Sequence, residues 1–273
     1  LYTAWNRGIR MAKGKYITNT NTDDRRLPHA LETEAKALDQ FPEVGLVYAD
    51  IWGTGIENDI LSAGDTERFT KYSYFDFSLL NGLTGSNFSP QPMWRKMVHQ
   101  KVGYFDETYV IAGDYEFFFR VSRHFNALHI KAPLGLYLEN PEGIEKSQPE
   151  LTREEFSRLR QKFYAEIRLD EFFPYLSRYP DDKVAYAHAL FELGNNHLIA
   201  SMAPDYERAA DYYQKALQIL QDPPRLIHNL AIARMGMNDK HEAVKLLKKA
   251  SKVFPDSGKT LKAMKKYGSD PAK

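Results

Sequence analysis

The chain has 273 residues, a formal net charge of +1, no cysteine, and an aromatic complement dominated by 17 tyrosines and 16 phenylalanines. That length is enough for two domains, each with its own core. The small net charge excludes bulk attraction to polyanions, and no Lys/Arg run resembles a nucleic-acid arm; the missing cysteines exclude disulfides and thiolate metal sites, and no apolar run reaches the roughly 18 residues of a membrane span.

Tyr2 to Ala12 reads as a helix, with Trp5, Ile9 and Ala12 on one face and Gly14 as its stop. A chain that begins at Leu1 and enters a helix at once is expected to have further sequence upstream. Lys15 to Thr20 is short, β-branched and aromatic, the pattern of a strand. It runs into the polar turn Asn21-Thr22-Asp23-Asp24. Pro28 then opens a helix with apolar positions at Leu31, Ala35 and Leu38, and Val44 to Ala49 forms the next strand. Strand, loop, helix, strand is the rhythm of a parallel or mixed sheet.

The stretch from Gly53 to Gly85 is irregular and long enough to suggest a functional loop. Met93 to Lys96 reads as a short strand and Phe105-Asp106-Glu107 as a turn. A helix follows Gly113-Asp114, with Phe117, Phe118, Val121 and Phe125 on its apolar face. Ala127 to Ile130 and Leu134 to Leu138 read as the last strands. Residues 141–150 read as a linker, and Thr152-Arg153-Glu154-Glu155 fits a capping box for a helix burying Phe156, Leu159 and Phe163.

Beyond that point the pattern is helical and repetitive. Leu230, Ala231, Ala243, Leu247, Ala250 and Pro255 occupy the small and apolar positions of a tetratricopeptide-like repeat over about 225–257. Leu193, Gly194, Ala209, Tyr213 and Ala216 do so over about 184–222, with an insertion near Ala200 to Pro204. Paired helices approach closely only where Ala or Gly faces the partner. The alternative is a generic helical hairpin stack. Flanking helices at Thr152 to Arg178 and Thr260 to Tyr267 are expected to cap the stack. The lysines from Lys240 to Lys266 form a solvated face or, alternatively, a surface for anionic lipid.

Two acidic loops carry the chemistry. Asp23 and Asp24 follow a strand, where open α/β sheets bind ligands, and adjacent carboxylates suit a hard divalent ion; the same residues also favour a plain turn and helix start. Asp114 reads either as a helix N-cap or as a general base. Glu116 either orients neighbouring groups or pairs with Arg120 at helical spacing. Gly85-Ser86-Asn87 and Trp94 read as a wall beside the site, Trp94 equally as core. Gly53-Thr54-Gly55 lacks the Gly-Lys-Ser/Thr of a phosphate loop. The eight histidines show no metal-ligand spacing, and His188, His197, His228 and His241 read as helix-surface residues.

The ordered set Asn6-Arg7-Gly8-Ile9, Ala12-Lys13-Gly14-Lys15-Tyr16-Ile17, Asn21-Thr22-Asp23-Asp24, Pro28, Val47-Tyr48-Ala49-Asp50, Gly85-Ser86-Asn87, Val102-Gly103-Tyr104-Phe105-Asp106 and Gly113-Asp114-Tyr115-Glu116-Phe117-Phe118-Phe119-Arg120 resembles a family 2 glycosyltransferase of the GT-A fold. The resemblance covers residues 1 to about 140. It implies inverting transfer of a sugar from a nucleotide-diphosphate donor to an acceptor hydroxyl on a glycan, lipid-linked or protein acceptor, with Mg²⁺ or Mn²⁺. Asn21, Asp23 and Asp24 then stand at the donor diphosphate and Asp23 at the metal, which Asn21 holds less strongly than the family's carboxylate would. Asp114 stands at the catalytic base, and Gly85, Ser86, Asn87, Trp94 and Glu116 stand on the acceptor side. Asn140-Pro141 replaces the family's His-Pro, and the processive Gln-X-X-Arg-Trp motif is absent. The family's first strands would precede Leu1.

The expected architecture is therefore a partial GT-A-like mixed sheet over 1–140, a linker over 141–150, and an all-α tetratricopeptide-like domain over 151–273. The expected location is cytoplasmic, including the inner face of a membrane, with no transmembrane segment and no nucleic-acid partner. A rival expectation is a non-catalytic adaptor whose repeats bind a protein.

Overall fold

A computed structural model describes residues 1–61, 66–84, 88–200 and 204–253, together with 258 and 262. The chain forms two compact units, Leu1–Phe163 and Tyr164–Lys273. The first contains α1 (Tyr2–Met11), β1 (Tyr16–Thr18), β2 (Arg25–Arg26), α2 (Ala30–Gln40), β3 (Val44–Thr54), β4 (Thr70–Tyr72), α3 (Leu79–Gly82), β5 (Met93–Arg95), α4 (Val98–Val102), α5 (Gly113–Ser122), β6 (Asn126–Leu138), α6 (Ile144–Ser147) and most of α7 (Pro149–Glu166).

The strands form one mixed sheet in the order β1-β5-β3-β6-β2, with β4 on β3. Only β3 and β6 run parallel; the other pairs are antiparallel. β3 is buried along nearly its whole length. Its Val, Leu, Ile and aromatic residues, with Asp50 the one charge among them, are what a centre strand covered on both faces requires. The two last strands expected from sequence are one, β6, whose pairing with β3 shifts register at the start, between Val44 and Leu46, and again on either side of Asp50, opposite Pro133. Proline has no N–H to give the ladder, which suits an irregularity at the second place.

Several expectations are corrected. The stretch taken as irregular from Gly53 contains the end of β3, β4 and α3. In α2 the buried face is Ala30, Glu34 and Leu38, while Leu31 is exposed. The expected linker contains α6 and the start of α7, and the first compact unit runs on to Phe163. Thr152 and Glu155 form no capping box. Thr152 lies within α7 and its hydroxyl donates to the carbonyls of Glu145 and Gln148. Glu155 reaches a different part of the chain, as described below.

The aromatic core lies between β5, α4 and α5. Trp94 is 1% exposed and packs against Phe105, Phe117 and Phe118 with ring centroids 5.4–6.1 Å apart. Its indole N–H meets His99 Nε2 at 3.0 Å. Polar satisfaction inside a packed aromatic cluster explains why this tryptophan is core.

The second unit contains α8 (Leu169–Phe172), α9 (Tyr175–Arg178), α10 (Lys183–Ile199), α11 (Tyr206–Leu217), α12 (Pro224–Gly236) and α13 (Lys240–Val253). Asp182 caps α10 and Asp205 caps α11 through backbone N–H groups, and Pro224 opens α12. Helices α10 to α13 pack each on the next. Every residue taken as a packing position from Leu193 to Ala250 is buried; Pro255, residues 201–203 and the Thr260 to Tyr267 segment lie outside the described residues. His197 is a correction: it is buried and stacks on Tyr164 at 4.2 Å.

Gly194 shows why the repeat needs a small residue. A Cβ there would sit 2.5 Å from the ring of Tyr213, itself fully buried. Gly194→Ala is expected to destabilise the repeats by about 1–3 kcal/mol, the usual cost of overpacking. Gly55→Ala, where a Cβ meets nothing within 4 Å, serves as the neutral control in thermal unfolding.

Candidate functional site

Asp114 occupies the first turn of α5, one residue past the helix start, and Ala112 is the N-cap. The capping role is therefore not its own. Its Oδ1 accepts from its neighbour's N–H, Tyr115, at 2.7 Å and lies 3.3 Å from the Tyr2 hydroxyl. The side chain faces a cavity of about 330 Å³ lined by Ile51, Tyr72, Tyr74, Phe88, Tyr115, Phe118 and Tyr137, with Glu139, Glu145 and Lys146 among its charged groups. Protein surrounds the carboxyl on its other sides, and this burial pushes it up to about 6. The Tyr115 N–H and the Tyr2 hydroxyl pull the other way, and the Glu145 charge adds to the rise. A carboxyl poised near neutrality beside an open cavity is what proton transfer asks for.

The segment around Asp114 is pinned from two sides. The Tyr2 hydroxyl donates to the Ile111 carbonyl at 2.6 Å and accepts from the Gly113 N–H at 3.0 Å. Gly113 permits this approach, since a Cβ would sit 2.5 Å from the tyrosine ring. From α7, the Glu155 carboxylate accepts the N–H groups of Val110, Ile111 and Ala112 at 2.7, 2.8 and 2.9 Å.

Tyr72 and Tyr74 reach the cavity from β4 and the residues after it. Asp50, the one charge in β3, holds this segment: it accepts from the Tyr74 N–H at 3.1 Å and pairs with His129 Nε2 at 2.7 Å. Burial alone would raise its carboxyl, but His129, the Tyr74 N–H and Lys71 hold it below the ordinary range.

The Asn21–Asp24 turn divides its residues between two jobs. Asp24 is 2% exposed, with Oδ2 taking the Asn21 amide at 2.9 Å and Oδ1 the Leu138 N–H at 3.1 Å. This is a correction to Asp24 as a diphosphate contact, because its oxygens are occupied inside the protein. Asn21 likewise spends its amide on Asp24. Asp23 keeps part of its surface exposed. Burial and the carboxylates of Glu145, Asp24 and Asp23 push the Tyr137 hydroxyl, in the cavity wall, up to about 12. The turn and the Asp114 cavity therefore share a border at Tyr137.

The remaining expected residues separate. Trp94 is core, not wall, for the packing reason given above. Glu116 is fully buried on the other side of α5, bound twice to Arg120 and once to Lys162 at 2.9 Å. Gly85, Ser86 and Asn87 lie outside the described residues. Among the described residues no group of three or more His, Asp or Glu is arranged as a metal site, and no helix is long and apolar enough to cross a membrane. The cavity tyrosines were not visible in the sequence, and Glu155 was visible only as a member of a capping box; the Tyr72-Ser73-Tyr74 spacing at the end of β4 was the available signal, since alternate residues of extended chain share a face.

The Tetratricopeptide repeat family model matches residues 202–265. The C-terminal region is thus a tetratricopeptide-repeat region, and such repeats commonly build concave surfaces that bind other proteins. No curated protein matches the chain.

The position of Asp114 has a measurable cost. It holds its proton to about pH 6 when folded, against about 3.9 when unfolded. The folded state binds the extra proton between those values, so stability falls as pH rises through that window and stays lower above it. At roughly 1.4 kcal/mol per pH unit the penalty is about 3 kcal/mol at most. Asp114→Asn is expected to raise the melting temperature at pH 8 and to match wild type at pH 4.

Proposed function

We propose that this chain is part of an inverting glycosyltransferase whose nucleotide-binding strands lie upstream, with Asp114 as the general base. The observation that carries the reading is the Asp114 carboxyl, raised to about 6 in the wall of a tyrosine-rich cavity. The resemblance of the ordered motifs to family 2 glycosyltransferases supplies the reaction class. An acceptor hydroxyl oxygen bonds to the anomeric carbon of a nucleotide-diphosphate sugar while the bond to the diphosphate oxygen breaks. Asp114 takes the hydroxyl proton, and the bonding pair leaves with the nucleotide diphosphate. Opposite-face attack inverts the anomeric centre. Tyrosine and phenylalanine rings suit the apolar faces of a sugar, and the flanking carboxylates suit its hydroxyls. The acceptor class is a glycan, lipid-linked glycan or glycosylated protein.

A Mg²⁺ or Mn²⁺ ion fits the donor side in chemistry. Asp23 is the partly exposed carboxylate of its turn, and magnesium is commonly held by one or two carboxylates with substrate phosphates and water completing its shell. Asp23 would hold the ion; when bound, it offsets charge on the diphosphate.

The tetratricopeptide match favours a second reading, an adaptor in which the repeats bind a protein partner and the α/β unit is a platform. Calorimetry of the chain with nucleotide sugars and Mn²⁺ separates the two: donor binding supports the transferase, and no binding to any donor supports the adaptor. Where transfer is found, Asp114→Asn is expected to lower it by about 10²- to 10⁴-fold, the usual worth of a general base. Wild-type transfer should rise with pH through about 6, as Asp114 loses its proton. Full activity in the variant removes Asp114 from the mechanism.

A further inference from the structure

The four residues before Asp114 have an unusual hydrogen-bond accounting. The N–H groups of Val110, Ile111 and Ala112 all go to Glu155 on α7, while the Ile111 carbonyl and the Gly113 N–H go to the Tyr2 hydroxyl. Side chains some 44 residues downstream and 110 upstream thus replace the partners that regular structure would supply. Glu155 is 3% exposed, so its carboxylate is committed to this task. These three N–H groups lie just before the helix, in the lead-in and at the N-cap, where no strand or helix pairs them; charged acceptors make the stronger hydrogen bonds to such donors.

We propose that Glu155 is a positioning residue for Asp114: by gathering three consecutive N–H groups it fixes where α5 begins, and so fixes the point on the cavity wall from which the Asp114 carboxylate works. The assignment rests on the reading of Asp114 as a base, and it makes α7 part of the site rather than a beginning of the helical region. The three residues whose N–H groups Glu155 accepts are not among those lining the cavity. Its effect passes through the backbone of the helix start.

The test reads the Asp114 titration directly, in the full chain labelled with ¹³C-carboxyl aspartate and with the resonance assigned by its loss in Asp114→Asn. Two conservative variants separate geometry from charge. Glu155→Asp keeps the charge but withdraws the acceptor by one methylene; Glu155→Gln keeps the length and one acceptor oxygen but loses the charge. Positioning predicts that Glu155→Asp loosens the helix start, hydrates Asp114 and lowers its midpoint by about one pH unit or more, toward the ordinary carboxylate range. Glu155→Gln should lower it by less. An unchanged midpoint in Glu155→Asp, or a fall in Glu155→Gln as large as or larger than in Glu155→Asp, overturns the proposal. Transfer is not the readout, so absence of sugar transfer and failure of the positioning role are told apart.

Discussion

One carboxylate, that of Glu155, collects three consecutive backbone N–H groups at the edge of the cavity-bearing helix α5. Hydrogen bonds to a charged group contribute about 1.5–3 kcal/mol each. Taking the buried carboxylate out of water offsets part of this, so the three bonds do not add in full. They act on the one stretch where the chain turns from an irregular segment into α5, and Tyr2 completes the same turn from α1. These two side chains bind the residues that lead into α5, the helix that carries Asp114 to the cavity.

The cavity wall opposite is fixed in the same manner. Asp50 inside β3 has no business in a covered strand unless it is paired, and it is paired with His129 and with the Tyr74 N–H. That pairing ties the segment carrying Tyr72 and Tyr74 to the sheet. Asp24 does the like for the Asn21 turn through the Leu138 N–H. Three buried acids, Asp50, Asp24 and Glu155, thus hold three irregular segments, while Asp114 faces the cavity and Asp23 keeps part of its surface exposed.

Local pattern made much of this legible. The apolar start of β3, Phe117, Phe118 and Val121 of α5 and the small residues of the repeats each follow from periodicity and are buried as expected, whereas Phe125, expected on the same helix, falls past its end at Ser122. The acidic loops were also visible, but not the division of labour within them. Asp23 and Asp24 look alike in sequence; only the Leu138 N–H, 114 residues away, decides which one is buried. Glu155 sat in a pattern that reads as a local capping box, whereas its partners lie 43 to 45 residues earlier. Trp94 was ambiguous because a tryptophan beside a site and one beneath it have the same neighbours in the chain. Long-range hydrogen bonding, not propensity, settled these cases.

The position of Glu155 also bears on how the protein divides into separable pieces. Composition suggests a seam at 141–150, yet the compact α/β unit ends at Phe163. An α/β half cut at residue 150 would lose the acid while keeping the amides it serves, leaving the N–H groups of Val110, Ile111 and Ala112 without their carboxylate. A dissection respecting the hydrogen bonds must leave the first four turns of α7 with the sheet, and the repeats must be taken from beyond them.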